Sequence, residues 1–359
     1  MNEVSSKVLI EKKDWGSING KPVYLFCLQN KIGTRLYLSN IGAAAQALIV
    51  RNKFNRDTDI LLGYDNSLAY KHDTFYLGTV IGRYANRIAG SDVFIENKKY
   101  MLPVWEGGYH LHGGKEGFNK KVFDYNIKGG EYPSIEMSYT SVDMEEGFPG
   151  KLDLKITYSL DNDNRWIIEY ECKTDKPTLV NLTQHAYFNL KGHNKGEVLN
   201  HLVAIHSKHY LPVNKLQVPT GEIADVKNTP FDFTEHEYIG KHINDVHEQL
   251  VLSSGYDHSW VLKKTASGDL VRAVNVQELS GGINLDVYTT EPAVHFYTGN
   301  FLNGLQGKDN AIYNSRNGFC LETQHYPDAP NKPHFPSTLL KPGENFYSKT
   351  VYALSVKNS

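Results

Sequence analysis

Alternating apolar and polar residues mark the region from 151 to 172 as a β-hairpin. In KLDLKITYSL (151–160) every second side chain is apolar, which is the period of a strand with one buried and one solvated face. The turn-like DNDN of 161–164 follows, and RWIIEYEC (165–172) is a second strand candidate. The pattern predicts two antiparallel strands joined by a four-residue loop.

Short strand-like segments recur along the chain, at KPVYLFCLQN (21–30), TRLYLSNIG (34–42), INLDVYTT (283–290) and KTVYALSV (349–356). Helical patterns are few, and the best of them is HEYIGKHI at 236–243. Strands without βαβ alternation indicate an all-β protein. Because no repeat, linker or charge block divides the chain, we expect one large antiparallel β-sandwich domain over residues 1–359 rather than two small domains.

Composition narrows the classes of function. Charged residues make up 22% of the chain and the formal net charge is -2, so no electrostatic case exists for binding nucleic acid or an anionic membrane. The three cysteines are widely spaced and form no CxxC pair, which argues against a disulfide framework or a structural zinc site. The sequence also contains no run of 18 apolar residues and no apolar leader near its start. We therefore expect a soluble, cytoplasmic protein.

Charged or titratable residues lie next to glycine, apolar or aromatic residues in five stretches: GRYANRIAG (82–90), YHLHGG (109–114), NLTQHAYFNL (181–190), GYDHSW (255–260) and FCLETQHYPDAPN (319–331). Each stretch also has an ordinary structural interpretation. A histidine such as His185 among apolar residues is more often a hydrogen-bonded core residue than a catalyst, and Asp257 alone suits a turn or cap. Glu322 alone suits the rim of a strand end.

A metal site is one hypothesis for these polar groups. His110 and His112 are two residues apart, which predicts that they share a strand face. With Glu116 they imitate the HxH-x3-E spacing of cupin β-barrels, and His185 would complete a ligand set suited to Zn, Fe(II) or Mn. The glycines that flank the cupin motif are absent, so the sequence disfavours this hypothesis.

Metal-free acid–base catalysis on a sugar is the second hypothesis. It requires one carboxylate as base, one imidazole as acid, and several fixed groups that hold hydroxyls. The chain supplies this inventory in Glu322, His185, Arg87, His112 and Asp257.

The same stretches resemble a known family. NRIAG, LHGG, TQHAYFNL, GYDH and LETQHYPDAPN occur in this order over nearly the whole chain and are similar to the motifs of the galactose mutarotase (aldose 1-epimerase) family. Any one motif is weak, but five in order are specific. The resemblance implies a single large antiparallel β-sandwich with the sugar in an open cleft, in agreement with the strand pattern.

The resemblance also implies roles for individual residues. The glutamate of LETQ and the histidine of TQHAYFNL correspond to Glu322 as the base and His185 as the acid. The resemblance implies that further groups bind the sugar: Arg87, His112, Asp257, Asn86 and His295. It implies an isomerase that interconverts the α and β anomers of free hexoses such as galactose and glucose, without metal or cofactor.

Some positions depart from the family pattern: His110, Gln184, Ala186 and His295. They leave the acid and the base intact and bear on substrate preference. Phe296 and Trp105 are candidates for an aromatic platform under the sugar, with core packing as the alternative role for each. The partner is a small-molecule aldose, and the chain is expected to be a monomer or a homodimer.

Two other functions on the same sandwich stay open. A non-catalytic sugar-binding module would bind its ligand without accelerating its reaction. An epimerase of hexose 6-phosphates would need a cationic cradle for the phosphate, and the sequence offers only Arg83 and Arg87 as a basic cluster.

Overall fold

The computed structural model describes residues 9–357 except 106, 264, 265 and 267, and its regular structure there is almost entirely β. The strands of the first half are β1 (Leu9–Ile18), β2 (Lys21–Gln29), β3 (Arg35–Ser39), β4 (Ala44–Arg51), β5 (Asp57–Asp59), β6 (Val80–Ile81), β7 (Arg87–Ala89), β8 (Asp92–Ile95), β9 (Lys98–Met101), β10 (Tyr109–Leu111), β11 (Asp124–Lys128), β12 (Ser134–Ser141), β13 (Leu152–Leu160), β14 (Arg165–Thr174) and β15 (Thr178–Leu179).

The strands of the second half are β16 (Thr183–Gln184), β17 (Tyr187–Phe188), β18 (Leu202–Ile205), β19 (His209–Leu211), β20 (Ala224–Asp225), β21 (Glu237–Tyr238), β22 (Asp257–Val261), β23 (Val271–Gln277), β24 (Ile283–Thr289), β25 (Ala293–Tyr297), β26 (Leu305–Gln306), β27 (Ile312–Tyr313), β28 (Phe319–Gln324), β29 (Leu339–Leu340) and β30 (Phe346–Val356). The α-helices of the described chain are α1 (Ser67–His72) and α2 (Glu248–Ser253). Short 3-10 turns lie at Phe118–Lys120, Glu145–Gly147, Lys308–Asn310 and Ala329–Asn331. Neither α-helix of the described chain is long and apolar enough to cross a bilayer.

Three antiparallel sheets carry most of these strands. The largest has nine strands in the order β11-β12-β13-β14-β30-β24-β23-β18-β21. A six-stranded sheet follows the order β17-β28-β25-β22-β19-β20, and a five-stranded sheet contains β1 to β5 in chain order. The last long strand, β30, pairs with β14 on one side and β24 on the other, so it is the central strand of the largest sheet.

The nine-stranded and six-stranded sheets pack face to face. The ring of Phe188 in β17 lies 5.2 Å from that of Tyr352 in β30, centroid to centroid. The Tyr352 hydroxyl also donates a hydrogen bond of 3.0 Å to the carbonyl of Leu321 in β28. One hydrophobic cluster includes buried side chains from these two sheets and from the five-stranded sheet. The all-β sandwich expected from the sequence is confirmed.

The strand predictions hold in detail. β13 pairs with β14 in antiparallel register from Leu152–Thr174 to Leu160–Trp166, with residues 161–164 between them. Alternate residues at the start of β13 are buried and exposed, as the period of two requires. The segments at 21–30, 34–42, 283–290 and 349–356 contain β2, β3, β24 and most of β30.

The helix predicted at 236–243 is wrong. Glu237 and Tyr238 form β21, which pairs with Val203 and Leu202 at the edge of the nine-stranded sheet. The N–H of Gly240 donates to the carbonyl of Leu199 instead of continuing a helical turn. Pairing with a sheet edge thus overrides a weak local helical pattern.

A buried histidine anchors the end of the NLTQHAYFNL stretch. The Leu190 N–H donates to Nε2 of His201 at 3.1 Å, and His201 Nδ1 lies 2.9 Å from the carbonyl of Val198. Because the carbonyl only accepts and Nε2 already accepts, the ring fits this position as the neutral Nδ1–H tautomer. Burial lowers the pKa of His201 to about 4, so the fold opposes its protonation.

We predict that His201 makes stability depend on pH. Its pKa is lower in the folded chain than in the unfolded one, so its contribution is complete above pH about 6.5 and is lost as pH falls towards about 4. The free energy of unfolding of the wild type should fall more steeply over this window than that of His201→Gln, by up to about 1.4 kcal/mol per pH unit. Urea unfolding at several pH values measures both slopes, and equal slopes would contradict the prediction.

Candidate active site

Three neighbouring strands of the six-stranded sheet place polar side chains in one row. In the antiparallel register Ser259 of β22 lies opposite His295 of β25, and His295 lies opposite Glu322 of β28. Directly opposed residues project from the same face of a sheet. Asp257 is two residues before Ser259 on β22 and therefore shares this face.

The other face of the same strands is largely apolar, with the buried His258 and Thr323 as its polar members. The intervening residues Phe296 and Leu321 belong to the core cluster between the two large sheets. The period of two thus sends the site residues to the cleft face and Phe296 and Leu321 to the core face. Continuous runs such as AVHFY and FCLETQ are fully buried because one face packs on the core and the other underlies a cleft.

An open cleft with a cavity volume of about 190 Å³ lies over the polar row. All seven residues predicted to form the site line it: Asn86, Arg87, His112, His185, Asp257, His295 and Glu322. They come from β7, β22, β25, β28 and the segments next to β7, β10 and β17. The tertiary fold therefore assembles the motifs that are far apart in sequence.

His185 and Glu322 form the centre of the cleft. Nε2 of His185 lies 3.5 Å from Oε1 of Glu322, and both side chains are at most 5% exposed. The backbone of His185 is fixed on both sides, since its N–H donates to the carbonyl of Thr79 and its carbonyl accepts from Gly78 N–H. Within the described chain Oε2 of Glu322 has no hydrogen-bond partner, although it is buried. A buried oxygen without a partner is poised to accept a hydrogen bond from a ligand.

Burial acts against charge on both members of this pair. It lowers the pKa of His185 to about 3, and the nearby His295 acts in the same direction. Burial raises the pKa of Glu322 well above its ordinary value; Asp257 reinforces this shift and the positive charge of Arg87 opposes it. In the empty cleft the pair is therefore favoured as a protonated carboxyl group beside a neutral imidazole.

Asp257 is the ionised carboxylate of the cleft. Burial alone raises its pKa, but the hydrogen bond from His295 and the positive charge of Arg87 hold that pKa well below the ordinary value. Its Oδ1 lies 2.7 Å from Nε2 of His295, and its Oδ2 lies 3.7 Å from a terminal nitrogen of Arg87. That same nitrogen donates to Oε1 of Gln217 at 2.6 Å, so two neighbours orient the guanidinium.

His112 reaches the cleft because the chain turns sharply after β10. It adopts a left-handed φ of 51°, and the next residue, Gly113, has φ 80°. A Cβ on Gly113 would lie 1.9 Å from the carbonyl oxygen of Gly82, so only glycine fits there. The Asn86 N–H donates to Nδ1 of His112 at 3.2 Å, which leaves Nε2–H as the donor of the neutral ring.

This turn makes the predicted shared strand face for His110 and His112 wrong. His110 packs against the ring of Phe148, and its Nδ1 lies 2.8 Å from the carbonyl of Pro103. Glu116 is half exposed and pairs with Lys71 at 2.7 Å. Only His112 of the cupin-like motif lines the cleft, so the set with His185 is not assembled.

A different trio, His185, Cys320 and Glu322, has potential metal-binding atoms within 4.8 Å of one another. The Cys320 sulfur lies 3.5 Å from Nδ1 of His185, whereas Glu322 lies 3.5 Å from Nε2. A ring nitrogen binds a metal along its lone pair, and the two lone pairs point away from each other. One ion cannot bridge all three groups unless the ring reorients, so the geometry suits proton transfer better than metal binding.

Aromatic side chains that the sequence did not single out complete the cleft: Phe75, Tyr76, Tyr187, Tyr297 and Phe301. The Tyr76 ring lies 4.5 Å from that of His112 and 5.8 Å from that of His185. Asp73, two residues before Phe75, is buried and accepts hydrogen bonds from the N–H groups of Phe75 and Leu77, which fixes the backbone on both sides of Tyr76. In sequence, an acidic residue followed by two aromatic residues is only a weak indication of a functional site. The tertiary contacts show that Phe75 and Tyr76 belong to the cleft.

Neither predicted aromatic platform lies in the cleft. Phe296 is fully buried between the sheets, with its ring 5.6 Å from that of Tyr256. Trp105 is 36% exposed and is not among the residues that line the cleft. Arg83 also faces away from it, because its guanidinium donates to the backbone carbonyls of Pro149 and Gly150 in the protein interior.

The structure thus combines an antiparallel β-sandwich with a carboxyl group and an imidazole that are buried side by side beneath an open polar cleft. The family model described as aldose 1-epimerase matches residues 24–353, which is most of the chain. The chain belongs to the aldose 1-epimerase family.

Similar proteins agree with this placement. The chain is 40% identical to the galactose mutarotase of Bos taurus over 323 residues, which cover 90% of this chain and 91% of that protein. It is 35% identical to the aldose 1-epimerase of Escherichia coli K12 over 336 residues, 93% of this chain and 96% of the relative. The crystal structure of galactose 1-epimerase from Lactobacillus acidophilus superposes with a TM-score of 0.86 at 25% identity, over 98% of this chain and all of that one.

We predict that Glu322→Gln stabilises the empty protein increasingly as pH rises. The pKa of Glu322 is higher in the folded chain than in the unfolded one, so its contribution is complete below pH about 4.3 and is lost as pH rises above it. The uncharged amide escapes this loss, and the variant should gain on the order of 1 kcal/mol in relative stability per pH unit above that point. Urea unfolding at pH 4 to 7 measures it. A difference that stays constant over this range would refute the claim that burial disfavours the Glu322 carboxylate.

Proposed function

We propose that this chain interconverts the α and β anomers of a free aldose, with Glu322 as the base and His185 as the acid. The observation that carries the proposal is the buried pair itself, in which Nε2 and Oε1 lie 3.5 Å apart beneath the cleft. As a member of the aldose 1-epimerase family the chain is an isomerase.

The reaction needs only proton transfer. The Glu322 carboxylate takes the proton from the C1 hydroxyl while the protonated His185 donates one to the ring oxygen. The bond between C1 and the ring oxygen opens to an aldehyde, the C1–C2 bond rotates, and the ring closes on the other face of the carbonyl. On closure His185 takes the proton of the C5 hydroxyl and Glu322 returns one to the carbonyl oxygen. Each positioned acid or base typically contributes about 10²–10⁴-fold.

The pair contains one transferable proton in either of its forms. The charged form, with ionised Glu322 and protonated His185, is ready for ring opening. The neutral form, which burial favours, is ready for ring closure. Ring opening converts the charged form into the neutral one and ring closure restores it, so the two residues end each cycle in the state in which they began. A sugar hydroxyl that donates to the unpartnered Oε2 of Glu322 stabilises the charged form.

Three further groups would hold the sugar while its C1 end turns. Asp257 offers an ionised acceptor, Arg87 offers donors, and the neutral His112 offers Nε2–H. Asn86 supports this corner because its backbone N–H binds His112 and its side-chain oxygen accepts from the Arg87 N–H at 2.9 Å. These groups supply orientation rather than chemistry. Among the cleft aromatics, Phe301 is 48% exposed and is our candidate for the face on which the sugar packs.

The two alternative functions find less support. A phosphate on the sugar would need several cations in the cleft, yet Arg83 is buried elsewhere and Arg87 is the one Lys or Arg among the described residues that line the cleft. A purely binding module would not require an imidazole and a carboxyl group buried next to each other, because this arrangement costs free energy.

We also infer a cytoplasmic setting, a single domain and a monomeric or homodimeric state. The three cysteines are unpaired and buried, as is usual in a reducing compartment. One hydrophobic cluster runs from Phe26 to Leu354 and joins the three large sheets, which supports one folding unit.

Polarimetry on freshly dissolved α-glucose and α-galactose, in a buffer of low intrinsic catalysis, tests the proposal. Glu322→Gln and His185→Ala should each lower turnover by about two or more orders of magnitude, because each removes one proton-transfer group. Circular dichroism should show an unchanged fold in both variants.

Glu116→Gln is the matched control. This glutamate is half exposed and paired with Lys71 outside the cleft, so the variant should turn over like the wild type. Near-wild-type mutarotation by either Glu322→Gln or His185→Ala would refute the assignment of that residue. Inhibition by low concentrations of inorganic phosphate would favour the hexose 6-phosphate alternative.

A further inference from the structure

Both ring nitrogens of His295 are occupied by protein groups. Nε2 lies 2.7 Å from Oδ1 of Asp257, and Nδ1 lies 2.9 Å from Oγ of Ser259. An imidazole has only these two polar atoms. His295 therefore lines the cleft without a free nitrogen for a sugar hydroxyl, so the direct contact expected from the sequence is not available in this arrangement.

The direction of the hydrogen bond between His295 and Asp257 follows from its acceptor. The ionised Asp257 can only accept, so Nε2 of His295 carries a proton. The Ser259 hydroxyl can both donate and accept, so it satisfies Nδ1 whether or not that nitrogen carries a proton, and it holds the ring with Nε2–H on Asp257. Ser259 is 3% exposed and lies outside the residues that line the cleft, so it acts on the cleft through the imidazole.

This chain of contacts keeps one oxygen of Asp257 available. Oδ1 is held by His295, whereas Oδ2 is 3.7 Å from Arg87, which is longer than a hydrogen bond. Without the hold on Oδ1, the carboxylate is free to rotate towards Arg87 and form a two-pronged ion pair. Such a pair would withdraw both oxygens from the cleft.

We propose that Ser259 is a positioning residue for sugar binding, which fixes the His295 ring with its Nε2–H on Asp257 and thereby holds the Asp257 carboxylate towards the cleft. The inference rests on the proposed function, since it takes Asp257 to be a sugar-binding group. His295 is paired across the strands with Ser259 on one side and with Glu322 on the other. The proposed positioning residue and the proposed base therefore lie in one cross-strand row.

Binding of 1,5-anhydro-D-galactitol, measured by titration calorimetry, separates binding from chemistry. This analogue lacks the anomeric hydroxyl and cannot undergo the reaction. Ser259→Ala should raise its Kd by about three- to tenfold, the effect of one hydrogen bond. Ser253→Ala is the matched control, because Ser253 is also fully buried but its hydroxyl has no partner in the described chain. The control should bind like the wild type.

A double-mutant cycle tests whether Ser259 acts through His295. In a His295→Leu background, Ser259→Ala should change Kd by less than about 1.5-fold, because the imidazole through which Ser259 acts is gone. Thermal midpoints are compared first, and His295→Asn replaces His295→Leu if the latter does not fold. In the wild-type background, polarimetry should show KM of Ser259→Ala raised by the same factor as Kd, with kcat within about twofold of the wild type.

The outcomes are distinguishable. An unchanged Kd in Ser259→Ala, or an equal increase in both backgrounds, overturns the role of Ser259 while leaving the proposed function intact. A wild type that binds the analogue but does not catalyse mutarotation overturns the proposed reaction, and the predicted cycle would still support Ser259. A wild type that neither binds the analogue nor catalyses mutarotation overturns both.

Discussion

The register between β22, β25 and β28 is the constraint on which the site depends. A shift of one residue in either pairing would turn His295 or Glu322 into the core and bring Phe296 or Leu321 into the cleft. The apolar rows of these strands pack against the nine-stranded sheet, so burial of large side chains opposes such a shift. The stability of the sandwich and the geometry of the cleft are therefore set by the same backbone hydrogen bonds.

This arrangement creates a conflict between stability and chemistry. The strands are buried on both faces, and the site groups lose most of their hydration there. For Asp257 the hydrogen bond from His295 and the positive charge of Arg87 outweigh the lost hydration, and its pKa stays low. Oε2 of Glu322 has no hydrogen-bond partner among the described residues, and burial raises the pKa of this carboxyl group. The two carboxyl groups on one sheet face are thus driven to opposite charge states, which suits one for holding a ligand and the other for exchanging protons.

The strands and the main motifs were predictable from sequence because each depends on local information. Alternation in 151–172 fixes the hairpin, and the five motifs carry the family resemblance with their residue types alone. The contributions of Gln217 and Ser259 were not predictable, because each acts through one contact with a residue distant in sequence. The separation of His110 from His112 depends on a left-handed turn that residue spacing does not reveal.

The position of His185 illustrates why the burial of a histidine does not by itself decide between a structural and a catalytic role. His201 and His185 are both buried, and both have a lowered pKa. His201 has a backbone donor at one nitrogen and a backbone carbonyl at the other, which fixes one neutral tautomer. His185 has a thiol, a weak partner, at Nδ1 and a carboxyl group at Nε2, so its neighbours can exchange a proton with it. The partners at the two ring nitrogens, rather than exposure or neighbouring sequence, distinguish the core histidine from the candidate acid.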